Sequence, residues 1–269
     1  MYTSFYGMNS NPFLKTESSK YPFESNDYIE TLNRFNYLKE VKGIGVFYGD
    51  SGLGKTYTTR CFVKSLNKDL YRVIYINATN DMSSFDFLKI LTDELYLDIG
   101  ACYRSNIHQN IQKEIMRIVN KEKMKVIIII DEAHLLSREI LFCLKTLYDF
   151  EMDSKDYVSL ILVGYPELKY ELNKVIHETL KQRIIVNYEF KGLSREEVKE
   201  YVKSRLEVVN ANKEIFDLDA LNALYSCCKS SPRRLNTLVL NSLMLGAQDN
   251  KSVIDSEIVM KAKGEMDLK

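Results

Sequence analysis

Glycines at 49, 52 and 54, followed directly by Lys55 and Thr56, spell G-x-x-x-x-G-K-[ST], a spacing suited to cradling the phosphates of a nucleoside triphosphate. Glycine permits backbone conformations that a Cβ forbids, so successive N–H groups of Gly49-Asp50-Ser51-Gly52-Leu53-Gly54 can turn inward at phosphate oxygens. Lys55 adds a mobile cation for the β- and γ-phosphates. Thr56 offers a hydroxyl to Mg2+ at the positive end of a helix that continues through Tyr57. The expected nucleotide-binding stretch is thus Gly49 to Tyr57, with a nucleoside triphosphate as the first ligand to test. Further along, Asp131 and Glu132 follow the apolar run Val126 to Ile130. Asp131 would hold Mg2+ through water, and Glu132 would polarise a water for attack on the γ-phosphate. An acidic pair after a strand also suits a helix N-cap, but a complete phosphate loop upstream favours the chemical role.

These side chains need a scaffold, and the chain segments readily. Gly45 to Tyr48 reads as a short buried strand feeding the loop, and Lys55 to Leu66 as a helix with Cys61, Phe62 and Leu66 apolar, which is the strand–loop–helix order such a loop requires. Tyr71 to Asn77 alternates like a strand, whereas Lys125 to Asp131 is β-branched throughout and predicts a strand buried on both faces. Val158 to Val163 and Ile184 to Tyr188 complete the strand set. Helices are predicted from Asp27 or Tyr28 to about Glu40 and over 84–97, 106–122 (Ile107, Ile111, Ile115 and Ile118 in register) and 137–151. Strand alternating with helix implies a parallel sheet of five strands flanked by helices, an α/β core. From Lys191 the pattern becomes purely helical: Ser194 to Val209 opening on a Ser-x-x-Glu capping box, then Asp217 to Cys228, Pro232 to Gly246 and Asp255 to Lys263. Two domains are expected, 1–190 with an aromatic lead-in (Phe5, Tyr6, Phe13, Tyr21, Phe23) and a helical 191–269.

Composition narrows the classes. Lys+Arg and Asp+Glu are 37 each in 269 residues, so no global positive field draws the chain to nucleic acid and any DNA contact must be local. The longest apolar run falls far short of the ~20 residues that span a bilayer, and the first residues lack the pattern of a signal peptide. The 5 cysteines include no C-x-x-C, which fits a reducing cytoplasm; Cys227 and Cys228 read as packing residues. His108 and His177 are expected to face solvent, and His134 to link the site to an interface.

The ordered blocks Phe5-Tyr6-Gly7 with Asn11-Pro12-Phe13, the phosphate loop, Asp131-Glu132-Ala133-His134-Leu135, Leu162-Val163-Gly164-Tyr165-Pro166-Glu167-Leu168, Gln182-Arg183-Ile184 and Ser231-Pro232-Arg233-Arg234-Leu235-Asn236 resemble the AAA+ ATPases. The resemblance is closer to the branch containing the TnsC-like target-selection ATPases of transposons and the secretion ATPase ExeA. It implies a P-loop AAA+ core with a helical lid. It further implies that Arg183 is an arginine finger acting on a neighbouring subunit's γ-phosphate, and that Arg233 is a sensor contacting its own subunit's nucleotide, with Arg234 as competitor. The position usually filled by a small polar side chain after the fourth strand is Gly164-Tyr165, a departure that bears on how water is positioned. The implied function is a Mg-ATP-dependent ATPase that assembles as a ring or helical filament on double-stranded DNA and assists a transposase, with the region of Tyr103-Arg104 lining the channel; the lysines Lys121, Lys123 and Lys125 at the far end of the 106–122 helix are read as a solvated charged face rather than a DNA contact. The alternatives are a cytoplasmic regulator or secretion-related ATPase acting on a protein, and a nucleotide-gated scaffold with little hydrolysis. Secretion relatives carry a membrane segment and a cell-wall-binding region outside the resemblance, which favours the DNA reading.

Overall fold

A computed structural model describes residues 2–13, 21–97, 106–151, 155–211 and 215–266; Tyr103 and Arg104 lie outside them. The chain forms two compact units, one made of Thr31–Asp50 and Lys55–Phe190, the other of Met1–Glu30, Ser51–Gly54 and Lys191–Lys269.

The first unit is built on strands β1 (Gly43–Tyr48), β2 (Tyr71–Asn77), β3 (Lys125–Asp131), β4 (Val158–Gly164) and β5 (Ile184–Glu189). They pair in parallel in the order β2-β3-β4-β1-β5. Every residue of β1 and β4 is buried, and in β3 only Lys125 is not, because helices cover both faces. On one face Val126, Ile128 and Ile130 join Phe87, Leu91, Ile111, Ile115, Ile140 and Leu144 in one apolar cluster. On the other, Phe47 packs against Phe35, which in turn meets Phe62, at ring separations of 4.5 and 4.9 Å. The sheet order has a functional consequence. β1 and β4 are neighbours, yet the chain leaves β1 for the β2 edge and leaves β4 for the β5 edge, which makes their carboxyl ends the topological switch point where ligands of open α/β sheets bind.

The predicted helices form with small differences at their ends: Asn26–Val41, Lys55–Ser65, Ser84–Glu94, Ile107–Arg117 and Arg138–Leu147. The segment expected as one helix to residue 122 changes to a wider π turn at Ile118–Glu122 and is stopped by Lys123 in the left-handed region, φ 61°. A helix at Glu167–Leu172 after β4 was not anticipated. His177, expected in solvent, is 3% exposed, with Nε2 3.3 Å from Glu171 Oε1 and its ring against Phe142. The polar partner explains the burial of a group that would otherwise be costly to desolvate. His108 is also half-buried rather than free in solvent.

The second unit contains helices Arg195–Val208, Leu218–Cys228, Pro232–Gln248 and Ser256–Met266. The capping box at Ser194 forms in both directions with Glu197, and Pro232 occupies the first turn of its helix, where a missing N–H costs nothing. Cys228 is fully buried in this core, and Cys227 Sγ lies 3.8 Å from Met260 Sδ, consistent with packing roles. A single parallel bridge, Phe216 to Ile254, crosses a region read from sequence as strandless. By contact, the aromatic lead-in groups with 191–269 rather than with the sheet. Tyr6 and Met8 are buried in the helical core, Tyr6 Oη donates to Lys251 O at 3.0 Å, and Phe23 meets Tyr201 edge-on.

Candidate functional site

The loop after β1 has the backbone its glycines promise. Gly52 and Gly54 adopt φ of +81° and +99°, which L side chains rarely reach. A Cβ on Gly54 would meet nothing within 4 Å, so the space above it is open, whereas on Gly52 it would come within 2.7 Å of Ser231 Oγ and 2.9 Å of Arg233 Cβ. Lys55 is buried at 7% exposure, with Nζ donating to Gly49 O at 2.6 Å and Asp50 O at 2.7 Å. The ammonium is therefore folded onto the carbonyls of its own loop, a position an anion would compete for. Thr56 and Asp50 are exposed, Leu53 is buried, and Tyr57 is half-buried with Arg60 5.6 Å from its ring.

The acidic pair sits at the carboxyl end of β3. Asp131 is 2% exposed; its Oδ2 accepts from Tyr75 Oη at 2.9 Å and its Oδ1 from the N–H of Glu132, also at 2.9 Å. Tyr75 is two residues before Asn77, the register partner of Asp131, so alternation puts phenol and carboxylate on one face. Burial and the neighbouring Asp131 carboxylate push the Tyr75 phenol well above its ordinary range, which keeps it a donor. Glu132 holds φ 55°, an uncommon state for a non-glycine residue, and turns the chain into the short 3-10 helix Ala133–Leu135. Its carboxylate is partly exposed and 3.5 Å from His134 Nδ1.

Residues after β4 complete this corner. The His134 and Tyr165 rings stack at 4.3 Å and 27°, Tyr165 N–H points at His134 Nδ1 at 3.4 Å, and Lys55 Nζ lies 4.7 Å from the centre of the Tyr165 ring. A Cβ on Gly164 would approach His134 N to 3.0 Å, so the backbone of His134 occupies the space a side chain there would need.

The two arginines are placed differently. Arg233 Nη1 donates to Ser51 Oγ at 3.2 Å and its N–H to Gly52 O at 3.3 Å, while Arg234 gives a backbone N–H to the Ser231 cap. The Arg233 side chain is thus brought to the loop. Arg183 precedes β5, and its carbonyl accepts from Ile44 N–H at the amino end of β1. The loop lies beyond the other end of that strand, roughly 16 Å away at ~3.3 Å per residue. Arg183 is held by Asp149, Nη2 to Oδ1 3.7 Å, with 16% of its side chain exposed.

Residues 38–170 match the family model described as AAA domain. Over 98% of its length the chain superposes on 71% of the ORC2 protein of Aeropyrum pernix in its ADPNP-ADP complexes, at 16% identity and a TM-score of 0.63. It likewise covers 68% of the ORC1 protein of that organism in complex with DNA (95% of this chain, 18% identity, TM-score 0.65). The fold is that of AAA+ P-loop proteins. Among curated proteins the chain is similar to General secretion pathway protein A of Aeromonas hydrophila, 27% identical over 97% of this chain. It spans 48%, about half, of that protein's length.

The glycine-rich loop and the acidic pair were legible in the sequence, but Tyr75 and the packing of Tyr165 on His134 were not anticipated. The alternation of Tyr71, Val73, Tyr75 and Asn77 opposite the acidic strand was a usable signal for the first. None existed for the second. Among the described residues no cluster of three His, Cys, Asp or Glu could hold a metal, and no helix is long and apolar enough to cross a membrane.

Proposed function

We propose that the chain binds and hydrolyses Mg-ATP and couples the nucleotide to self-assembly. The observation that carries this is the open cradle above Gly54, edged by Lys55 and preceded by the positive-φ turn at Gly52. The donor set fits the ligand: inward N–H groups and an ammonium for phosphate oxygens, and the Thr56 hydroxyl and Asp131 carboxylate, hard oxygen donors, for Mg2+. When bound, Mg2+ neutralises charge on the phosphates. Tyr75 fixes the orientation of Asp131, Glu132 accepts a proton from the attacking water, Arg233 reads the state of the loop through Ser51, and Lys55 leaves the Gly49 and Asp50 carbonyls for the phosphates. Calorimetry with Mg-ATP tests the first half: Lys55→Ala loses binding, and equal affinity would defeat the assignment. Glu132→Gln keeps binding and loses turnover.

The separation of Arg183 from the loop along β1 supports action on a neighbouring copy, so a ring or filament is the working form. For the output, the resemblance to transposon target-selection ATPases supports assembly on double-stranded DNA to assist a transposase, and the fold is shared with a DNA-bound ORC1. Filter binding and electron microscopy with ATP, ADP or no nucleotide test this. Absence of an ATP-dependent assembly on DNA would favour the second reading, an ATPase acting on a protein partner, which the likeness to a general secretion pathway protein along nearly the whole chain supports.

A further inference from the structure

Four side chains from three separate stretches converge beside the acidic pair. Tyr165 is the hub: Lys55 Nζ is 4.7 Å from its ring centre, the His134 ring stacks on it at 4.3 Å, and its own N–H points at His134 Nδ1. That same Nδ1 faces Glu132 Oε2 across 3.5 Å, so it accepts from the Tyr165 N–H in one tautomer and donates to the carboxylate in the other. A cation against an aromatic face and a ring stack are both directional attractions, so moving one member disturbs the next. Gly164 belongs to the arrangement because any side chain there would push the His134 backbone away. Glu132 carries the left-handed backbone, φ 55°, that turns its carboxylate toward this histidine, a strained conformation that persists only where surrounding contacts impose it.

We propose that Tyr165 and His134 are positioning residues for Glu132, and that the aromatic face of Tyr165, not its hydroxyl, links the placement of Glu132 to that of Lys55. The inference rests on the ATPase reading above and deepens it. In the resting chain Lys55 lies between its loop carbonyls and the Tyr165 ring. Phosphate draws the ammonium off both, and the ring that fixes His134 is then released from one of its two partners. The carboxylate thereby senses whether the loop is filled, with no polar side chain required at position 164.

The test is a set of variants read by nucleotide affinity and turnover together. Tyr165→Ala lowers kcat by about 10- to 100-fold, the scale of an ångström-level misplacement of a reacting group, while Kd for Mg-ATP stays within about threefold of wild type. Tyr165→Phe keeps the ring and the backbone N–H and rescues turnover. His134→Ala resembles Tyr165→Ala, and the double variant loses no more than either alone, since both act through one carboxylate. Wild-type turnover in Tyr165→Ala, equal damage from Tyr165→Phe, or additive losses would each overturn the proposal. A readout free of turnover comes from NMR, which is simple in a chain with 3 histidines. The His134 imidazole resonance, displaced by the ring current of Tyr165, moves in Tyr165→Ala and stays in Tyr165→Phe. If the wild-type protein turned over no ATP, the ATPase reading would fail while the resonance still reported on the arrangement, and a His134 signal indifferent to Tyr165→Ala would sink the positioning role itself.

Discussion

Gly54 illustrates how one residue serves two purposes. Its φ of +99° is a conformation only glycine adopts without strain, and its missing side chain leaves open the space where phosphate is expected. Gly54→Ala therefore has two separable effects: a stability loss of about 1–3 kcal/mol from the forced backbone, read by urea denaturation, and loss of nucleotide binding from the methyl group in the cradle. A variant that melted normally and bound Mg-ATP normally would show the cradle to be misplaced. Asp131 depends on its neighbours in a similar way. A carboxylate at 2% exposure needs hydrogen-bond partners in place of water, and Tyr75 supplies one of them at 2.9 Å. If Asp131 holds Mg2+ as proposed, Tyr75→Phe should leave the fold intact and raise the Mg2+ concentration needed for half-maximal turnover, because that carboxylate loses an orienting contact.

At the level of elements, the lead-in and the helical unit are tied by a few polar bonds in apolar surroundings. Asp27, 6% exposed, accepts from the N–H groups of Lys191 and Gly192 at 2.9 and 2.7 Å. Asp27→Ala leaves both donors without the carboxylate and should cost about 2 kcal/mol in urea denaturation, the scale of hydrogen bonds to a charged group. Tyr6 offers a pH test. Burial pushes its phenol up to about 12 from 10.0. The folded state holds that proton more tightly than the unfolded chain, so the contribution to stability is complete below pH 10 and declines as pH rises toward 12. Absorbance titration at alkaline pH, comparing wild type with Tyr6→Phe, should show one late-ionising phenol missing from the variant and a less steep alkaline loss of stability. Gly246 permits this contact, since a Cβ there would fall 2.4 Å from Tyr6 Oη.

For the proposed assembly the decisive question is which arginine would serve which copy. If Arg183 acts on a neighbour, mixing Arg183→Ala with Lys55→Ala protein should recover part of the ATPase activity, because some interfaces pair an intact loop with an intact Arg183. Arg233 contacts Ser51 of its own chain, so Arg233→Ala mixed with Lys55→Ala should recover nothing. Recovery in the second mixture alone would exchange the roles. If the chain binds DNA as proposed, equal numbers of positive and negative side chains mean that it should gain affinity by repeating small contacts along one duplex. Two phosphates neutralised per copy would give a salt slope near ~−1.8 per subunit at ~0.9 per phosphate.

What the chain determines by itself is local. Glycine spacing specified the loop, the β-branched run specified a strand buried on both faces, and Ser194 with Glu197 specified where a helix begins, because each signal lies within a few residues of its effect. Helix ends drifted where the stop was a backbone state, as at Lys123, that composition does not announce. The order β2-β3-β4-β1-β5, the burial of His177 and the contact of Arg233 with Ser51 were decided only by packing between distant segments. The lead-in follows the same rule: Tyr6 finds its acceptor at Lys251, and no periodicity near residue 6 encodes that partner. His134 and Tyr165 meet because parallel pairing of β3 and β4 ends both strands at one edge, and a three-dimensional coincidence of that kind leaves no mark in the spacing of residues along the chain.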